Sequence, residues 1–121
     1  VAYSLVLRGR IEDFDRAQLL SIRSLELKPN DPHYLDTLGL IYFKRGVLDE
    51  AEELLERAHA AIPDDPVVTN HFLQVLIARG NQERAARVLE VFLQRNVEPE
   101  DRDGQEALKN IRRLRGVLSR D

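Results

Sequence analysis

Apolar residues along this chain recur at intervals of three and four, in blocks of about a dozen, broken by short polar stretches holding Pro, Gly, Asn or Asp. That periodicity puts one stripe on a helix and predicts helices, not strands. The clearest block runs from Pro32 to Lys44, with Leu35, Leu38, Gly39, Tyr42 and Phe43 apolar or small. A second runs from Leu48 to Ala61, with Ala51, Leu54, Leu55, Ala58 and then Ile62 on one side. A third spans Pro66 to Arg79 and carries Phe72, Leu73, Leu76 and Ile77; a fourth spans Gln82 to Arg95 and carries Ala85, Val88, Leu89 and Phe92. Upstream, a block from about Asp13 carries Phe14, Ala17, Leu20, Ser21, Ser24 and Leu25, and the apolar run Val1 to Arg8 reads as the remainder of a truncated helix. Downstream, Asn96 to Gly104 reads as a polar connection. A last helix is expected over Gln105 to Leu118, with Ala107, Leu108, Ile111, Leu114 and Leu118 on its stripe.

The punctuation between blocks repeats. Asp31 precedes Pro32 and Asp65 precedes Pro66. An Asp can cap the unpaired N–H groups of a helix start, and Pro loses nothing at the first helical position. The spacing 66 − 32 is 34. At that offset Ala17, Ala51 and Ala85 coincide, as do Gly46 with Gly80, Pro29 with Pro63, Leu38 with Phe72, Tyr42 with Leu76 and Leu55 with Leu89. Gly46 suits a left-handed helix end, and Asn81 suits the start of the helix after Gly80.

A helix pair recurring every 34 residues is the signature of the tetratricopeptide repeat, or TPR. The central unit resembles that family residue by residue: Leu35, then Leu38-Gly39, Tyr42, Ala51, Leu55, Ala58 and Pro63, with Leu in place of the family's Trp and Phe. The outer units depart from it. Glu12 stands in the first where Gly46 stands in the second, and Ser21 and Ser24 replace larger or apolar groups. In the third, Leu73 takes the place of Gly39, Phe92 that of Ala58, and Val97 that of the closing Pro. The resemblance implies an all-α TPR solenoid, a right-handed superhelix, forming one domain over residues 1–121. Its repeats fall at about 1–31, 32–65 and 66–99, and a capping helix out of register at about 103–119 covers the last apolar face.

By the same resemblance, the first helix of each pair lines a concave groove. Ala2, Val6, His33, Asp36, Leu40, Phe43, Lys44, Asn70, Gln74 and Ile77 are the residues expected to face it, with Leu40 and Phe43 exposed unless a partner covers them. One TPR subclass grips a chaperone's C-terminal carboxylate with Lys, Asn and Arg. The corresponding positions here hold Ala2, Val6, Thr37, Val67 and His71, none of them basic or Asn, which argues against that grip.

Composition narrows the function classes further. The 121 residues are 43% hydrophobic and 32% charged, as befits a globular fold. A net charge of −3 argues against general nucleic-acid binding. Without Cys, thiolate zinc sites and a Cys nucleophile are excluded. No apolar run approaches the roughly 18–20 residues of a membrane span. The chain opens inside an apolar run without Met and reads as a piece of a longer protein. His33, His59 and His71 read as surface or groove residues, with His59 solvated, and not as metal ligands. Glu50, Glu52, Glu53 and Glu56 read as a solvated face with Glu53 to Arg57 as an ion pair, and Arg112, Arg113, Arg115 and Arg120 as the wet side of the last helix. No cofactor or phosphate-loop motif is present. The expected function is therefore a non-enzymatic scaffold that binds another protein. Arg-rich usage suggests a bacterium, and family analogy suggests exopolysaccharide export, with the periplasm favoured over the cytoplasm and a polysaccharide-modifying enzyme as the recruit. The alternative is a structural spacer in a longer array.

Overall fold

The computed structural model describes residues 11–118, with side chains from residue 15 onward. The Val1 to Arg8 helix, Ala2, Val6 and Arg120 lie outside that range. Six helices are present among the described residues: α1 (Ile11–Leu27), α2 (Pro32–Lys44), α3 (Leu48–Ala61), α4 (Pro66–Ala78), α5 (Gln82–Gln94) and α6 (Arg102–Leu118). No strand occurs among them. The chain divides into two compact units, Val1–Ala58 and His59–Asp121, and the division falls within α3.

Helix starts and stops obey the repeated punctuation. Asp31 Oδ1 accepts from the N–H groups of His33 and Tyr34 at 2.9 and 3.2 Å. Asp65 Oδ1 accepts from Val67 and Val68 at the same two distances. At the other end of α2, Val47 N–H donates to the Tyr42 carbonyl and Gly46 N–H to Phe43, at 2.9 and 3.0 Å. After α4, Asn81 N–H donates to Leu76 and Gly80 N–H to Ile77, both at 2.9 Å. These are two Schellman closures, and each needs a left-handed residue. Gly46 and Gly80 supply it with φ of +81° and +78°.

In the first unit α1 packs on α2. Ala17, Leu40 and Ile41 form one buried cluster, against which Phe43 packs. The absence of a side chain at Gly39 lets α2 approach α3 closely, with Leu55 lying over the space a Cβ would need. Leu35, Leu38, Ala51, Leu55 and Ala58 complete this unit's core.

In the second unit α4 packs on both α5 and α6, and α5 on α6. Phe72, Leu73, Leu76, Leu89, Phe92 and Ile111 are its largest buried residues with almost no exposure. The last helix starts at Arg102, beside the bound of about 103 expected for a capping helix and ahead of Gln105, from which the apolar stripe is read. Asp101 marks that start, with its carbonyl accepting from Gln105 N–H at 3.1 Å and its Oδ2 from Gly104 N–H at 3.4 Å. Gly104 is buried in the first turn as a packing residue: a Cβ there would lie 2.6 Å from Pro99 Cβ and 3.4 Å from Pro66 Cγ.

Register explains what α6 does. At an offset of 36 (104 − 68), Val68, His71, Phe72 and Val75 of α4 fall on Gly104, Ala107, Leu108 and Ile111 of α6, and all eight are buried. Leu73 and Leu76 fall on Lys109 and Arg112, which are exposed. So α6 keeps one buried stripe, with which it packs on α4 and α5. The positions that correspond to Leu73 and Leu76 have become polar, as the outer side of a capping helix requires.

Candidate partner-binding surfaces

In the first unit, the residues expected to line a groove divide by burial. His33 and Lys44 are exposed, and Phe43 is half-buried. Lys44 Nζ stands 5.9 Å from the centre of the Phe43 ring. Leu40 corrects the expectation of an exposed apolar side chain: only 5% of it is accessible, because it is packed into the cluster with Ala17 and Ile41. Asp36 is buried too, at 7%. Thr37 turns its hydroxyl to the His33 carbonyl at 2.9 Å.

In the second unit Asn70, Gln74 and Ile77 are half-buried on α4. Two of them belong to a chain of amides. Asn70 Oδ1 accepts from Gln74 Nε2 at 3.3 Å and from Asn110 Nδ2 on α6 at 2.6 Å. Asn110 had no place in the sequence reading. The offset of 36 would have found it, since it puts Asn110 at the register of Gln74.

His59 is another correction. It is half-buried, not solvated, and its ring lies 5.2 Å from that of Phe72, with the Arg84 guanidinium 5.3 Å from the Phe72 centre. Burial, and then the positive charges of Arg95 and Arg84, hold its pKa below the ordinary 6.5. Arg57 does not hold Glu53 but donates to the Pro29 carbonyl at 3.3 Å. Arg115 is tied to Glu90 of α5 at 3.0 Å, so the basic side of α6 is partly neutralised. Among the described residues, no three or more His, Cys, Asp or Glu side chains are grouped to hold a metal, and no helix is long and apolar enough to cross a membrane.

The crystal structure of the Sgt2 TPR domain from Aspergillus fumigatus superposes over 99% of this chain and 82% of its own, with a TM-score of 0.68 at 17% identity. The fold is all-α, of the TPR class. A TPR repeat-containing protein of Pseudomonas aeruginosa is 32% identical over 69 residues, 57% of this chain. The chain spans 12% of that relative's length. No family model matches. Fold and sequence relative together support the TPR family, whose domains are in general protein-interaction scaffolds and not catalysts.

Proposed function

We propose that this chain is part of a non-catalytic scaffold that binds another protein, with α4 holding an extended segment and α2 offering contacts of its own in the other unit. The amide chain on α4 and α6 carries the reading. Asn70 Oδ1 is engaged twice, which fixes the plane of that side chain. Asn70 Nδ2 and Gln74 Oε1 stand outside those bonds, as one donor group and one acceptor. A peptide backbone offers the complementary acceptor and donor at every residue. Phe43, His33 and Lys44 on α2 supply an apolar and a basic contact in the other unit.

Photo-crosslinking in the native host tests it. A photoreactive residue at His33, Lys44 or Ile77 should trap one discrete partner, while the same residue at Glu50 or Glu53 should not. Equal labelling from both sets, or none from the first, favours the spacer reading instead.

For the setting, the reading extends to the bacterial envelope and to recruitment of a polysaccharide-modifying enzyme during exopolysaccharide export. Its support is the resemblance of the repeats and the bacterial relative. Fractionation decides it: recovery of the native protein with cytoplasmic markers sinks the envelope assignment.

A further inference from the structure

A second surface lies apart from the residues just discussed. Between the end of α3 and the face of α5, the second unit has an open apolar cleft of about 200 Å³. Pro63, Val88, Val91 and Phe92 line it, beside the His59 ring, with Arg87 and Arg95 alongside. Val91 is 53% exposed, whereas the other exposed residues of α5, Gln82, Glu83, Arg87 and Gln94, are polar.

The preceding repeat shows why the cleft is open. At the offset of 34, Arg57 stands where Val91 stands, and Pro29 where Pro63 stands. Within the first unit Arg57 reaches over to the Pro29 carbonyl and covers that place. Valine is too short to do so, and the Pro63 carbonyl instead accepts from Thr69 Oγ1 at 3.4 Å.

Charge selects the occupant. Arg95 is paired with Asp64 at 2.6 Å and Arg87 with Glu83 at 3.2 Å. Both carboxylates are largely exposed, at 62% and 88%, so these are solvent-screened pairs that a competing carboxylate can exchange at little cost. Arg95 and Arg84 both set positive charge beside His59. We propose that this cleft docks an acidic protein segment, which seats one Phe-sized side chain on Val91 and Phe92 and sets its flanking carboxylates against Arg87 and Arg95. A cavity of about 150 Å³ already accepts benzene, so the volume suffices for one aromatic ring.

Amide-shift mapping of the ¹⁵N-labelled protein with three acetylated, amidated pentapeptides tests this. Glu-Glu-Phe-Glu-Glu should shift residues around His59, Val88 and Val91. Gln-Gln-Phe-Gln-Gln should bind about two- to fivefold more weakly, the range of one exposed ion pair or more. Glu-Glu-Ala-Glu-Glu should not bind. Val91→Arg, an exposed change that restores the cover seen at Arg57, should abolish binding while leaving the circular dichroism unchanged. Shifts centred elsewhere, equal binding of the Gln-flanked peptide, or undiminished binding to Val91→Arg would overturn the proposal. The outcome is independent of the α2 and α4 reading, which shares none of these residues.

Discussion

Leu55 occupies the space that Gly39 leaves: a Cβ on Gly39 would lie 2.7 Å from Leu55 Cγ and 2.9 Å from its Cδ2. Gly39→Ala should therefore destabilise the chain although Ala is the better helix former. Overpacking costs roughly 1–3 kcal/mol against a propensity gain of about 1 kcal/mol. Leu55→Ala alone should cost about 2–5 kcal/mol as a buried truncation. In the double variant the new methyl enters the vacated volume, so urea unfolding should show a cost well below the sum. Simple additivity would mean the two side chains do not compete for one space.

Ser21 stands at the register of Leu55 and Leu89, and it is 3% exposed. Among the described residues its Oγ has no hydrogen-bond partner. Ser21→Ala removes the orphaned hydroxyl and improves helix propensity. A gain of about 1–2 kcal/mol should follow, raising Tm by a few degrees. An unchanged or lower Tm would show that the hydroxyl is satisfied in solution.

The depressed pKa of His59 has a sign that a titration can read. The unfolded chain takes up this proton near pH 6.5, and the folded chain only at lower pH. The neutral ring's contribution is then fully present above 6.5 and declines as pH falls from there towards the folded value. His59→Gln should flatten the slope of unfolding free energy just below about pH 6.5. An identical slope in both proteins would place the titrating group elsewhere.

Asp31 and Asp65 make matching pairs of bonds, at 2.9 and 3.2 Å in each case. Replacing either by Ala should cost about 1 kcal/mol. Hydrogen exchange should quicken locally, at His33 and Tyr34 for the first and at Val67 and Val68 for the second. A global change of equal size at both helix starts would contradict capping as the cause.

Much of this fold is legible because each boundary is written in residue chemistry. The bounds of α2 and α3 match the sequence reading, since Asp31-Pro32 and Gly46 leave little choice. The start of α6 was blurred, readable as about 103 or as Gln105, because the register slips from 34 to 36 and because Gly104, which reads as a loop residue, serves close packing. Leu40 was misplaced for a different reason. Helical spacing gives the angle of a side chain about its own axis but not what packs there, and α1 brings Ala17 to that side. The same limit applies to His59: its stripe was readable, whereas the proximity of Phe72 and two guanidinium groups was not.

The two Asp–Pro junctions that open α2 and α4 have a chemical consequence of their own. An aspartyl–prolyl amide is the peptide link most prone to hydrolysis in warm dilute acid, because the neighbouring carboxyl attacks its own carbonyl and the tertiary nitrogen departs readily. Mild acid should thus cut this polypeptide into pieces 1–31, 32–65 and 66–121, readable by mass spectrometry. Scission needs the Asp carboxyl withdrawn from its amide partners, so in acid mild enough to leave the helices folded, each cut's slowing relative to the urea-unfolded chain measures how seldom that helix start comes undone.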